Sequence, residues 1–158
     1  MKLDCFEEVK RLTSEMVAIP SINKEPHGET AVARYVYNYF MDLPYFKAHP
    51  EQVICFQTKD DFVERHSTLA YVKGTKGTSN RTVILIGHID TVGVGNIDNW
   101  THDPYQGYED DQVIYGRGGS DQEGGMASAT YGAKIMKDLG LIPAGYKIMV
   151  VGSVQEED

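Results

Sequence analysis

The first residues able to do chemistry are His88 and Asp90, which directly follow the apolar run Thr82–Ile86. Five consecutive apolar or β-branched residues predict a strand buried on both faces. Because residues two apart in an extended chain point the same way, both polar side chains are expected on one side. Ligands of open α/β sheets gather outside the carboxyl ends of strands, where a metal-binding histidine and its orienting carboxylate would lie. Taken alone, His-x-Asp is more typical of a hydrogen-bonded loop histidine.

Two later stretches bring further acidic residues to predicted strand ends. Asp121 lies among five glycines in the stretch 116–125, after a short predicted strand at 112–115. Glu156 and Glu157 follow the largely apolar strand predicted at 146–154. Carboxylates and a neutral imidazole suit zinc, and two metal ions can share one carboxylate. The spacings are too wide for a zinc finger, so a fold must bring these residues together. Without the other motifs, Glu156-Glu157 would be interpreted as an exposed acidic pair and not as part of a metal site.

Four ordered motifs resemble the di-zinc aminoacylase and carboxypeptidase family, which includes acetylornithine deacetylase, succinyl-diaminopimelate desuccinylase and peptidase T. The motifs are HIDTV (88–92), W-x-x-D-P-Y (100–105), YGRGGSDQEGG (115–125) and EE (156–157). The stretch 18–21, Ala-Ile-Pro-Ser, is similar to the N-terminal signature of that family. SDQEGGMAS and VQEED are most similar to its hydrolases linked to selenium metabolism. MDLPYFKAHPE is more similar to its arginine-utilisation protein.

The resemblance implies a role for each candidate site residue. His88 would bind one zinc ion, Asp121 would bridge both ions, and Glu157 would bind the second. Glu156 would be the general base that deprotonates a water bridging the metals. Asp90 would hold the His88 ring. The implied cofactor is zinc, two ions per site in the complete enzyme, with cobalt or manganese as alternatives.

The resemblance also implies the backbone and the fold around Asp121. The bond between Asp121 and Gln122 looks like the family's cis peptide. Glu123 stands where the family usually carries a lysine. The implied fold class is α/β, a three-layer α/β/α sandwich with a mixed, mainly parallel sheet, as in the zinc exopeptidase catalytic domain.

The implied function is hydrolysis of amide bonds in N-acyl amino acids or small peptides. Residues 1–158 are expected to be the N-terminal portion of the catalytic domain, without its C-terminal part and without a lid or dimerisation domain. The substrate would be a small molecule or peptide, and a homodimer is an open alternative for the complete protein. The competing hypothesis is a truncated, noncatalytic remnant that serves only as a fold or binding module.

Composition sets limits on the class of protein. The 158 residues are 41% hydrophobic, enough to bury the core of one domain. A net charge of −8 argues against a nucleic-acid or anionic-membrane surface. Two distant cysteines, Cys5 and Cys55, argue against a disulfide scaffold and fit a reducing compartment. The N-terminus carries acids where a signal peptide needs an apolar segment, so a cytoplasmic protein is expected.

Hydrophobic periodicity and breaker residues predict the remaining elements. Helices are expected at 4–18, 29–41 and 124–139, and further strands at 53–57 and 68–72. Pro20 and Pro44 should end the first two helices, and Gly140 should end the third.

Three other kinds of site fit the sequence poorly. Gly93 and Gly95 lack the third glycine and the following helix of a dinucleotide loop. The stretch around Ser120 lacks the last glycine of a serine-hydrolase nucleophile elbow. His102 is a metal ligand by residue type, but it lies in a polar loop and is expected to be solvated.

Overall fold

The computed structural model describes residues 5–59, 61–78, 80–110 and 112–157. The helices and strands, in chain order, are α1 (Cys5–Val17), α2 (Gly28–Asp42), α3 (Pro44–Ala48), β1 (Val53–Gln57), β2 (His66–Lys73), β3 (Arg81–His88), α4 (Glu123–Asp138) and β4 (Tyr146–Ser153). Short 3-10 turns lie at Pro50–Gln52 and Ile97–Asn99. None of the helices in these described ranges combines the length and apolar character needed to cross a membrane.

Most element bounds match the sequence prediction closely. Strand β1 has the predicted bounds, and α2 ends at Asp42, with Leu43 as its C-cap directly before Pro44. Gly140 follows α4 with a φ of 66°, the left-handed conformation that commonly ends a helix. Residue 4, the predicted start of the first helix, lies outside the described residues.

The predicted strand at 112–115 is wrong. In its place is a tight turn, in which the Asp110 carboxylate accepts the N–H groups of Gln112 and Val113. A single bridge joins Glu109 to Ile114, and the pairing goes no further. The side chain of Asp110 competes with strand pairing for these N–H groups, as aspartate commonly does in turns.

The four strands form one mixed sheet in the order β1-β2-β4-β3. β3 and β4 are parallel because α4 crosses over between them. β1 pairs with β2, and β2 with β4, in antiparallel fashion. The α/β class and the mixed sheet are therefore confirmed. Among the described strands, however, two of the three pairings are antiparallel, whereas a mainly parallel arrangement was predicted. β1 and β2 pair in this way because no helix crosses over between them.

The described helices that pack on the sheet cover one of its faces. Thr68 of β2 donates a hydrogen bond to the Ala33 carbonyl of α2. Its neighbour in register, Gly152 of β4, packs against Met126 of α4. α2 and α4 therefore lie on the same side, over a core that includes Ala70, Val72, Ile148 and Val150.

The opposite face of the sheet is apolar and open. Ile84 and Ile86 of β3 are 51% and 66% exposed, and Ile54 of β1 is 46% exposed. A three-layer sandwich needs helices on this face as well. The described residues supply the sheet and one helical layer of that architecture.

Candidate metal centre

His88 lies at the carboxyl end of β3 with its ring almost entirely buried. The ring atom Nδ1 lies 2.9 Å from the main-chain carbonyl oxygen of Asp90. Since a carbonyl can only accept, Nδ1 must carry the proton in this contact. The lone pair of a neutral ring is then on Nε2, which faces Asp121 Oδ1 at 2.9 Å and Glu156 Oε2 at 3.8 Å. This tautomer presents Nε2 as a metal ligand.

The acidic surroundings control the charge on His88. Burial lowers the pKa of the ring. The hydrogen bond to Asp121, the bond to the Asp90 carbonyl and the charges of Asp90 and Glu156 raise it, and the net direction is upward. A positive charge at this position is therefore favoured, whether it comes from a proton on the ring or from a cation beside it.

The Asp90 side chain does something different from what the sequence suggested. Its Oδ1 lies 3.7 Å from His88 Nδ1, beyond hydrogen-bond length. Its Oδ2 instead accepts the main-chain N–H groups of Glu156, at 2.8 Å, and Glu157, at 2.9 Å. The His88 ring is thus oriented by the backbone of Asp90, and the Asp90 carboxylate positions the acidic pair. A backbone contact leaves no trace in residue type, so sequence reasoning could not identify it.

Asp121 reaches the site from the glycine-rich loop before α4. Its peptide bond to Gln122 is cis, as the resemblance implied. Gly118 in this loop has a φ of 89°, and a side chain there would clash with the Glu123 carboxylate. The Asp121 carboxylate is 76% exposed, so it is free to accept a ligand.

Gln122 links this loop to β3, and sequence reasoning missed it. Its Oε1 accepts the main-chain N–H of His88 at 2.9 Å. A β-carbon at position 87 would lie 2.9 Å from the same oxygen, which explains why glycine precedes His88. The signal was present in the sequence as Gly87 at the end of an otherwise apolar strand.

Glu156 and Glu157 follow β4 after a bend at Gln155, where φ is +64°. Ligand atoms of His88, Asp121 and Glu157 all lie within 4.8 Å of one another. Glu156 stands beside them, with its side chain 62% exposed. The structure therefore brings together all the residues that the sequence proposed for the site.

The donor set fits zinc. One imidazole nitrogen and carboxylate oxygens are ligands that zinc prefers, and the orientation of His88 leaves Nε2 available. His102 is not part of this group; it stacks on the ring of Tyr108 with centroids 4.0 Å apart. It is half-buried by this stacking rather than fully solvated.

The segment Ser21–Asn23 also borders the site. Ile22 pairs with Thr91 in a parallel bridge, and the Asn23 side chain donates to the Glu157 carbonyl. Sequence reasoning noticed the adjoining stretch 18–21 only as a family signature.

Glu123 is buried behind the glycine-rich loop. Burial raises its pKa to about 8, against a smaller lowering by the Ser21 hydroxyl, 3.5 Å away. Its carboxyl group is therefore largely protonated at neutral pH.

Comparison with known proteins finds a family match over part of the chain. Residues 84–158 match the model of peptidase family M20/M25/M40. Escherichia coli YgeY, an uncharacterized protein, is 59% identical over 87 residues, which are 55% of this chain and 21% of YgeY. A probable succinyl-diaminopimelate desuccinylase of Staphylococcus aureus is 36% identical over 81 residues, 51% of this chain and 20% of the relative. The chain thus spans about a fifth of the length of these curated relatives.

The fold is shared with a solved metallo-carboxypeptidase. Sso-CP2 of Sulfolobus solfataricus, an M20 family metallo-carboxypeptidase, superposes with a TM-score of 0.73 at 19% sequence identity. The match covers 92% of this chain and 30% of that protein. The family match begins at Ile84 in β3 and includes His88, Asp121 and both glutamates of the site. Residues 84–158, just under half of the chain, are therefore similar to peptidase family M20/M25/M40.

Proposed function

We propose that residues 1–158 are the N-terminal portion of the catalytic domain of a zinc-dependent hydrolase that cleaves amide bonds in N-acyl amino acids or small peptides. One observation carries the proposal: His88, Asp121 and Glu157 converge within 4.8 Å, with the Glu156 carboxylate beside them. The similarity of residues 84–158 to a peptidase family supports the reaction class. The similarity to a probable succinyl-diaminopimelate desuccinylase of Staphylococcus aureus supports an acylated amino acid as substrate.

The proposed ligands are divided between two ions. His88 holds the first, Glu157 holds the second, and Asp121 is shared between them. When bound, the ions polarise the scissile carbonyl and lower the pKa of water toward about 7. Cobalt or manganese could occupy the same oxygen and nitrogen donors.

Glu156 is the proposed general base. Its carboxylate is exposed and lies 3.8 Å from His88 Nε2, so it can reach a water molecule at the ligand cluster. It takes a proton as the water oxygen attacks the carbonyl carbon. The same proton can then pass to the amine nitrogen as the carbon–nitrogen bond breaks.

The setting of this activity is also part of the proposal. The net charge of −8 and the two unpaired cysteines support a cytoplasmic enzyme that does not bind nucleic acid or membranes. A homodimer of the complete enzyme is left open.

The competing function, a noncatalytic remnant that acts as a binding module, has one observation in its favour. A catalytic zinc ion normally takes three protein ligands of its own. The described part of the chain offers three such side chains in total, and two ions would share them.

Zinc titration and a hydrolysis assay test the proposal. With His88, Asp121 and Glu157 as the ligands, residues 1–158 alone should bind zinc weakly and substoichiometrically and should not hydrolyse N-acetyl amino acids. The complete enzyme should bind two zinc ions and hydrolyse N-acetyl amino acids. A complete protein without zinc or amidase activity would overturn the function. Robust turnover by residues 1–158 alone would overturn the assignment of this segment as one portion of the catalytic domain.

A further inference from the structure

Asn23 joins the ends of the two parallel strands that carry the site. Its main-chain N–H donates to the Thr91 carbonyl, just beyond β3, at 2.9 Å. Its side-chain Nδ2 donates to the carbonyl of Glu157, just beyond β4, at 2.5 Å. One residue therefore spans the gap between the segment of His88 and the segment of Glu157.

The orientation of the Asn23 amide follows from its partner. The Glu157 carbonyl oxygen can only accept a hydrogen bond, so the amide nitrogen, and not the amide oxygen, must face it. Asn23 is 8% exposed, and its Oδ1 is buried without a hydrogen-bond partner among the described residues. Burying an amide with one unpaired atom costs free energy. Among the described residues, the hydrogen bond to the Glu157 carbonyl is the contact of this side chain that offsets the cost.

Glu156 and Glu157 lie beyond the end of β4, so their main chain is held by hydrogen bonds to side chains and not by strand pairing. β4 ends at Ser153, and the chain then bends at Gln155. Within the described part of the chain, the main chain of Glu156 and Glu157 makes three hydrogen bonds: two from its N–H groups to Asp90 Oδ2 and one from Asn23 to its carbonyl. Asp90 thus holds the donor side of the acidic pair, and Asn23 holds the acceptor side.

We propose that Asn23 is a positioning residue that fixes the Glu157 carboxylate at the metal centre by holding the Glu157 carbonyl. The inference rests on the proposed function, which makes Glu157 a metal ligand. It assigns a role to the N-terminal segment, which lies far from the site in sequence and reaches it through the Ile22–Thr91 bridge.

Hydrogen exchange in the metal-free chain tests the contact itself. In Asn23→Ala, the amides of Glu156 and Glu157 should exchange at least about tenfold faster, because their segment is held on one side only. The amide of Ile89 bonds to the Ser153 carbonyl at 2.9 Å and is the internal reference, expected to keep its rate. Equal acceleration at Ile89 would mean general destabilisation and would overturn the proposal, as would unchanged rates at both glutamates.

A second variant tests whether the effect of Asn23→Ala comes from the lost hydrogen bond or from misfolding caused by the lost side-chain volume. Asn23→Asp keeps the side-chain shape but turns an oxygen toward the Glu157 carbonyl, so the same selective acceleration is expected. Asn38→Asp, on the exposed side of α2, is the charge-matched control and should leave both rates unchanged. Acceleration in Asn38→Asp equal to that in Asn23→Asp would assign the effect to charge and would overturn the proposal.

Zinc titration connects the contact to the site. Asn23→Ala should weaken zinc binding by about tenfold or more, while Asn38→Ala keeps the wild-type affinity. If wild-type protein binds zinc and Asn23→Ala binds it equally well, the positioning role is overturned. If the complete wild-type protein binds no zinc, the proposed function fails, and the exchange rates of Glu156 and Glu157 alone decide whether Asn23 holds this segment.

Discussion

At the scale of single residues, the site depends on which atom of each side chain is left free. His88 uses Nδ1 on a backbone carbonyl, so Nε2 faces the acidic cluster. Asp90 uses Oδ2 on two N–H groups, so its charge supports the position of Glu156 and Glu157. Residue type suggests which side chains can be ligands, but these hydrogen bonds decide which atom of each side chain remains available to bind a metal.

Replacement of His88 by alanine should lower zinc content and abolish amidase activity together, because a direct ligand is lost. Elemental analysis and an N-acetyl amino acid assay of the complete enzyme measure the two effects. His102→Ala, which removes a histidine stacked on Tyr108, is the matched control and should leave both unchanged. Normal zinc occupancy in His88→Ala would remove His88 from the set of metal ligands.

The two adjacent glutamates should respond differently to substitution by glutamine. Glu156→Gln should keep both ions and lose about 10²–10⁴-fold in kcat, since a general base is removed. Glu157→Gln should instead weaken binding of the second ion. Metal content and kcat, measured on both variants of the complete enzyme, separate the two roles. Identical metal content in the two variants would show that the roles are wrongly assigned.

At the scale of elements, the first turn of α4 connects the glycine-rich loop to the N-terminal segment. Glu123 begins this helix, and its carboxyl group is enclosed beside Ser21 and Gly118. Its N–H donates to the Gly118 carbonyl at 2.9 Å. The Asp121 loop is therefore packed against the buried carboxyl group of Glu123.

This arrangement predicts how stability changes with pH. Burial raises the pKa of Glu123 from 4.5 to about 8, so between these values the folded state holds a proton that the unfolded state has lost. The free energy of unfolding should therefore fall as pH rises through this window. Glu123→Gln should remove that part of the pH dependence.

Urea unfolding of the metal-free chain at pH 5.5 and pH 8 measures this effect. The difference in unfolding free energy between the two pH values should be smaller in Glu123→Gln than in wild type. Glu25→Gln, at an exposed position, is the control and should keep the wild-type difference. An equal pH dependence in Glu123→Gln and wild type would show that Glu123 does not carry it.

At the scale of the whole molecule, the sheet has an unprotected apolar edge. β3 has one neighbour among the described strands, and its central residues carry neither charge nor proline. Natural edge strands usually carry charged residues or proline, because a free apolar edge can pair with another chain. The last strand, β4, is interior to the described sheet, whereas β3 is an edge strand.

Residues 1–158 alone should therefore dimerise or aggregate through β3. Ile86→Lys should shift the chain toward the monomer, because a charge on the strand opposes pairing. Size-exclusion chromatography with light scattering measures the mass. Leu141→Lys, at a 54% exposed position outside the sheet, is the control and should associate like wild type. A wild-type chain that remained monomeric at high concentration would contradict this prediction.

The sequence alone determined the candidate ligands and most of the elements. Long periodic or apolar segments such as β1, β3 and α4 are predicted well because their side-chain patterns repeat the geometry of the element. The ordered motifs around His88, Asp121 and Glu156-Glu157 were sufficient to indicate the family and the chemistry. In these cases the information is carried by side-chain type and local spacing.

Tertiary structure decided what depends on contacts between distant segments. The Asp90 carboxylate binds the acidic pair because the end of β4 lies beside the end of β3. Asn23 reaches Glu157 across 134 residues of sequence. Backbone carbonyls and N–H groups make these bonds, and every residue except proline has both, so no local pattern could reveal them.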